Sequence, residues 1–248
     1  MDLKLAHKKA LVTGASSGIG AATARLLAQE GADVVVCYGH NETSAAETLA
    51  AVKAHGVRGW LSQMDVGDPE KVQAEMGRIG AIVEALDVLV LCAGSNQIAP
   101  LEEVTTEAWQ RVLGVNLNGV FFVLQAALPL LREGSAVVTV SSVAAHTGAP
   151  HHAHYAAAKA GVINLTKSAA RALGPGVRVN CVAPGITKTP MGRDTIDHLP
   201  DDYAQRKLLS DDFATPEEIA RCIVFLASPT IGFVTGATLD ANGGRILR

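Results

Sequence analysis

Aromatic residues make up only 4% of this 248-residue chain and charged residues only 18%. With so few rings the interior has to be aliphatic, and with hydrophobic residues at 48% the chain folds rather than stays disordered. Blocks of positive charge are missing too: Lys+Arg 21 against Asp+Glu 24 leaves a formal charge of -3. That excludes the electrostatic footprint of a nucleic-acid binder and a polybasic membrane anchor. The four cysteines, Cys37, Cys92, Cys181 and Cys222, are far apart and form no C-x-x-C pair, so they read as buried reduced thiols rather than bridges or a zinc site. Residues 1–9 lack the apolar region and cleavage site of a signal peptide, which makes the cytoplasm the expected location. What remains is small-molecule chemistry.

One stretch, residues 112–131, carries no charge at all and has about the length that crosses a bilayer. Asn116, Asn118, Gln125, Gly114, Gly119 and Pro129 interrupt it, and amides left unpaired in lipid are costly. It is expected to be a helix covered by protein on most sides.

Apolar runs of strand length alternate with amphipathic stretches along the chain. Strands are expected at 10–12, 34–37, around 60–61, and at 88–91, 136–140 and 177–182. Helices are expected at 19–29, 44–54, after Asp68-Pro69, at 155–173, and at 217–226 after Thr215-Pro216. Strands that are apolar on both faces belong to a parallel sheet sandwiched between helices. The expected fold is therefore α/β: a doubly wound, Rossmann-type parallel sheet with helices on both faces, in a single domain spanning 1–248. A polar segment at about 186–213, rich in Asp, Thr and Pro, follows a strand end and reads as a mobile substrate lid.

The first strand runs into Thr13-Gly14-Ala15-Ser16-Ser17-Gly18-Ile19-Gly20 and then a helix. Glycines there let the backbone approach a pyrophosphate, and the helix start offers free N–H groups. The spacing is G-x-x-x-G-x-G, and the expected contacts are Gly14, Ser16, Ser17, Gly18, Ile19 and Gly20. The second strand ends Cys37-Tyr38-Gly39-His40-Asn41, with no carboxylate for the ribose hydroxyls of NAD, since Asp33 sits at the opposite end. NADP(H) is therefore favoured over NAD(H). Tyr38, His40 and Asn41 are the expected contacts there, and Ser16, Ser17, His40 and Asn41 the donors for a 2′-phosphate.

Tyr155 and Lys159 stand i, i+4 on one helix face. An adjacent ammonium is expected to lower a phenol from its ordinary value near 10 and so fit it for proton exchange with a carbonyl or alcohol. Ser142, at the close of the fifth strand, can hydrogen-bond the same substrate oxygen. Asn116 is a buried amide needing partners, and one reading has it hold a water linked to Lys159.

Together with Asp65-Val66, Cys92-Ala93-Gly94, Val115-Asn116-Leu117, Pro184-Gly185 and Asn242-Gly243-Gly244, these motifs resemble the short-chain dehydrogenases/reductases over almost the whole chain, with 3-oxoacyl-(acyl carrier protein) reductases the most similar members. The resemblance implies a catalytic tetrad of Asn116, Ser142, Tyr155 and Lys159. It implies adenine contacts at Asp65 and Val66, a cofactor wall at Cys92, Ala93 and Gly94, and a second role for Lys159 on the nicotinamide ribose. Pro184, Gly185, Ile186 and Thr189 would flank the nicotinamide. It also implies a homotetramer packed through 112–131 and 155–173. Cys92 departs from the family's usual Asn, which questions local hydrogen bonding more than activity.

The function so implied is reversible hydride transfer between NAD(P)(H) and a carbonyl or secondary alcohol, without a metal. A nucleotide-binding regulator without catalysis is the competing class, and the presence of both Tyr155 and Lys159 argues against it. A halohydrin-dehalogenase-like lyase would replace the Lys by Arg. Two observations speak for a free ketone, sugar or polyol over an acidic acyl carrier. The rim segments Arg132-Glu133-Gly134 and Gly174-Pro175-Gly176 offer one cation, and the lid carries Asp194, Asp197, Asp201 and Asp202 against Arg193, Arg206 and Lys207. His146, His151, His152 and His154 fall on a loop beside the cleft and read as solvent or substrate contacts rather than metal ligands.

Overall fold

Alternate residues of each strand go to opposite cores. In β1 (Lys9–Thr13) Ala10 and Val12 join one core and Leu11 the other; in β2 (Asp33–Tyr38) Val34 and Val36 face away from Val35 and Cys37. β4 (Leu86–Leu91) divides in the same way. Both faces are therefore apolar, which is why the sequence shows continuous runs instead of alternation. With β3 (Gly59–Gln63), β5 (Leu131–Val140), β6 (Arg178–Pro184) and β7 (Thr238–Ala241) these strands form one parallel sheet of order β3-β2-β1-β4-β5-β6-β7. The structure, a computed structural model, describes residues 2–247.

Helices α1 (Gly18–Gln29), α2 (Glu42–Lys53) and α10 (Pro216–Ala227) cover one face; α3 (Pro69–Val83), α5 (Gly119–Ala127) and α7 (Ala153–Leu173) cover the other. Local chemistry sets their starts. Asp68 caps α3 through Oδ1, which accepts from the Glu70 and Lys71 amides, and Thr215 with Glu218 forms a reciprocal capping box on α10.

The uncharged stretch is not one regular helix. It begins as α4 (Thr106–Leu113), widens into a π-turn at Gly114–Asn118, continues as α5 and ends in a 3₁₀ turn at Leu128–Leu130, while Leu131 already belongs to β5. By length and composition 106–130 could cross a membrane, and only 39% of its most apolar window is buried within the chain. Cover on most sides is thus not supplied by the chain itself: Trp109, Phe121 and Leu128 stay exposed.

Segment 186–213 contains α8 (Pro190–Ile196) and α9 (Tyr203–Lys207), and a bridge between Thr187 and Ala214 closes its base. Arg132-Glu133-Gly134 opens β5 and Gly174-Pro175-Gly176 precedes β6, the two joined by Gly134 N donating to Gly176 O at 2.8 Å. In a parallel sheet that is the amino edge, opposite the carboxyl ends where ligands bind, so these segments are no rim of the cleft.

At the switch point between β1 and β4 the Thr13 hydroxyl, 1% exposed, accepts from the Cys92 and Ala93 amides at 3.0 and 3.1 Å and donates to Val90 O. Thr13→Val keeps the shape and strands both amides, so it should cost about 2–3 kcal/mol in denaturant unfolding. Thr13→Ser should cost less than about 1 kcal/mol, and equal effects of the two would contradict this role.

Candidate active site

The carboxyl ends of the strands open into a cleft of ≈ 600 Å³. Every residue expected at the site lines it except Tyr38, whose ring is 5% exposed and packs in the core beneath α2. Tyr38 is still within β2, and the chain reaches the cleft only at Gly39, His40 and Asn41. Asp33 is the first residue of β2 and is held by Arg58 at 2.6 Å, at the far edge.

The glycine turn fits a dinucleotide phosphate because there is no room for anything larger than hydrogen in its backbone. Gly14 has φ +67°, and a Cβ there would lie 2.8 Å from Ala93 Cα; a Cβ on Gly20 would lie 2.3 Å from Gly14 O. The turn is pinned to β2 by Ala15 N donating to Cys37 O at 2.9 Å. Ser17 stands at the N-cap of α1, yet its side chain makes no capping bond, which leaves the hydroxyl and the first helical amides for an anion. Asn41 is partly engaged, since its Oδ1 caps α2.

Tyr155 and Lys159 lie in the first two turns of α7, whose start is capped unusually: the buried His154 accepts the Tyr155 amide at Nδ1, 3.0 Å. Lys159 is 4% exposed; its Nζ donates to Val140 O at 2.9 Å and lies 5.6 Å from the centre of the Tyr155 ring. Ser141 Oγ donates to Lys159 O at 2.7 Å, and Ser141 and Val143 donate to Val182 O and Pro184 O, so Ser142 stands between two anchored amides. Burial pushes the Tyr155 phenol up to about 12, opposed by a hydrogen bond with Ser142. Burial likewise holds the Lys159 ammonium below its ordinary value. The expected lowering of the phenol by Lys159 is not found: desolvation raises it instead, and the chain alone keeps Tyr155 a proton donor at neutral pH. Cys92 is pushed to about 11 by burial and stays a thiol.

Asn116 is fully buried in the π-turn. Its Nδ2 donates to Ser95 O and Val112 O at 2.7 and 2.9 Å, and its Oδ1 accepts from Ser95 N at 3.3 Å. The side chain therefore clamps the loop after β4. Gly94 separates it from Lys159: a Cβ there would lie 2.9 Å from Asn116 Oδ1 and 3.7 Å from Lys159 Nζ.

The four histidines share no common partner: His146 faces Asp240 at 3.4 Å, His152 bonds Asn96 Oδ1 at 3.1 Å, His154 is internal and His151 is exposed at the cleft. Among the described residues no three His, Cys, Asp or Glu side chains gather as a metal site. Sequence reasoning missed Ser95, Asn96, Thr187 and Arg245, all on the cleft wall. No motif marks them, although an arginine directly after Asn242-Gly243-Gly244 could have drawn notice. Asp194, Asp197, Asp201 and Asp202, in segment 186–213, are exposed and absent from that wall.

A family model described as enoyl-(acyl carrier protein) reductase matches residues 14–245. The cis-4-hydroxycyclohexanecarboxylate dehydrogenase of Sinomonas cyclohexanicum is 44% identical over 98% of both chains. The 3-oxoacyl-[acyl-carrier-protein] reductase FabG of Staphylococcus aureus is 40% identical over 96% of this chain and 97% of its own. A short chain dehydrogenase from Burkholderia cenocepacia, solved in complex with NADP, superposes with a TM-score of 0.92 at 34% identity, over 98% of this chain and 99% of that one. The chain belongs to the short-chain dehydrogenase/reductase family. It is an NAD(P)-dependent oxidoreductase of carbonyls and alcohols, as the resemblance in its motifs implied.

With three tyrosines in the chain, the state of Tyr155 can be read directly. In alkaline titration followed by phenolate absorbance, wild type minus Tyr155→Phe should stay flat to about pH 10 without cofactor. A step at or below about pH 9 would contradict a phenol held protonated by burial.

Proposed function

We propose that Tyr155 is the acid that delivers the proton in carbonyl reduction and the base in the reverse direction. The observation that carries this reading is the Lys159 ammonium buried between Val140 O and the Tyr155 ring, beside Ser142. Ser142 donates to the substrate oxygen and sets its distance from the phenol. Lys159, its charge already out of water, opposes build-up of positive charge nearby and favours phenolate once the proton has left. Asn116 holds the Ser95 loop, and so that part of the cleft wall, in place. The nicotinamide, when bound, supplies or accepts the hydride. The glycine turn, Asp65 and Val66, Cys92 to Gly94, and Pro184 to Thr189 hold that cofactor along the cleft.

The preference for NADP(H) rests on the absence of a carboxylate after β2 and on the unengaged Ser17 hydroxyl; it is also the cofactor of the Burkholderia structure. The unit is the whole of 1–248, with 186–213 closing over substrate as a mobile lid. The exposed apolar face of Trp109, Phe121 and Leu128 is suited to pairing copies into a homotetramer. The four thiols, none of them bridged, suit the reducing cytoplasm. The partner is a small carbonyl or alcohol, with neither nucleic acid nor membrane. Two substrate classes stand side by side, 3-oxoacyl thioesters and free ketones, sugars or polyols, since both arguments from charge against an acyl carrier fail: the rim segments lie at the other edge and the lid acids face outward.

Tyr155→Phe should lower kcat by at least about 10³-fold, some 4 kcal/mol, while NADPH still binds within a few-fold. Retained turnover would remove Tyr155 from this role. The kcat/KM with NADPH should exceed that with NADH, and a tenfold preference for NADH would overturn the cofactor assignment. In sedimentation the protein should run as a tetramer, and Phe121→Asp should dissociate it; a wild-type monomer at micromolar concentration would contradict the assembly.

A further inference from the structure

Acidic groups are missing from the half of the cleft beyond Tyr155. Among the described residues the one carboxylate on the cleft wall is Asp65, which follows edge strand β3. At the opposite edge, after β7, the Gly243-Gly244 turn carries Arg245 onto the wall. The placement is fixed from two sides. Leu209 N in the lid donates to Gly243 O at 2.7 Å, and the Arg245 guanidinium carbon lies 5.8 Å from the centre of the Tyr203 ring. Tyr203 in turn stacks on Phe213 at 6.1 Å and 20°.

Arg245 is half-buried and pairs with no acidic side chain among the described residues; in the lid, Asp202 is taken by Arg206 and Asp212 by Lys188. A partly desolvated guanidinium without a counter-ion favours an anionic ligand, and one lying on a ring keeps its N–H edge free for a planar, two-oxygen acceptor. His152 on the same wall adds no charge, because burial and its histidine neighbours hold it below the usual imidazole range. The 2′-phosphate of NADP is no candidate occupant, since His40 and Asn41 follow β2 on the other side of the switch point.

We propose that Arg245 binds a carboxylate carried by the substrate, which makes the substrate a free oxo acid and its product the hydroxy acid. The inference rests on the carbonyl–alcohol reading of Tyr155, and it selects the free small molecule over the carrier-bound thioester. The lid residue Tyr203 acts as a positioning residue that holds the guanidinium over its ring.

The full-length enzyme with NADPH is assayed on 4-oxocyclohexanecarboxylate, its methyl ester and acetoacetyl-CoA, and binding of unreactive cyclohexanecarboxylate is followed by calorimetry. Wild type should prefer the acid to the ester by at least about 30-fold in kcat/KM. Arg245→Gln should lower the acid by about 100-fold, keep the ester within about threefold, and abolish cyclohexanecarboxylate binding. Arg245→Lys should recover part of the loss, as a point charge without the planar fork. Equal loss on acid and ester, or no preference in the wild type, overturns the proposal. So does acetoacetyl-CoA as the best substrate with its turnover dependent on Arg245, because the anion would then be a carrier phosphate. If no ketone is turned over while cyclohexanecarboxylate still binds through Arg245, the anion site stands and the reading of Tyr155 falls.

Discussion

The site is organised by one ammonium kept out of water. Lys159 at 4% exposure needs compensation from fixed dipoles, since an uncompensated buried charge is costly. It finds that compensation in Val140 O at the end of β5 and in the face of the Tyr155 ring. Meeting both demands at once fixes the position of α7 against β5, and Ser141, bonded to the Lys159 carbonyl, adds a third tie. The Tyr155 hydroxyl and Ser142 then have little freedom left. Rigid elements thus hold the groups proposed to react, which is the condition under which small errors of position do not erode catalysis.

The same constraint explains the surroundings. The wall beside the ammonium has to be thin, and Gly94 leaves the gap between Asn116 and Lys159 that a Cβ would fill. Asn116 can clamp the Ser95 loop because the helix opens into a π-turn at that point. At Cys92, where the family resemblance leads one to expect Asn, the backbone is secured from below by the Thr13 hydroxyl, which takes two amides. The departure therefore leaves the central strands joined.

Much of this was legible in the residues. Continuous apolar strands such as Val34 to Cys37 imply a sheet covered on both faces, and the glycine turn and the Tyr155–Lys159 spacing are local signals that survive folding. What the sequence does not carry is depth and direction. The ammonium next to Tyr155 suggests a lowered phenol, but burial, a property of the assembled fold, raises it. Tyr38 sits one residue short of the cleft, a distinction that depends on where β2 ends. β7, with Asp240 in its middle and every residue only partly buried, lacks an apolar run to announce it. Arg245 depends on β7 and on a turn of two glycines, so its place on the wall follows only from tertiary structure.

The proposed role of the buried Lys159 charge in enabling proton exchange at Tyr155 is tested most directly by replacing that charge at nearly constant shape. Lys159→Met, with its fold verified by circular dichroism, should lose at least about 10³-fold in kcat, roughly 4 kcal/mol. The residual rate should rise with pH more steeply than in wild type for alcohol oxidation, because the phenol then ionises without help. A variant that keeps its rate within tenfold and its pH profile unchanged would contradict the account.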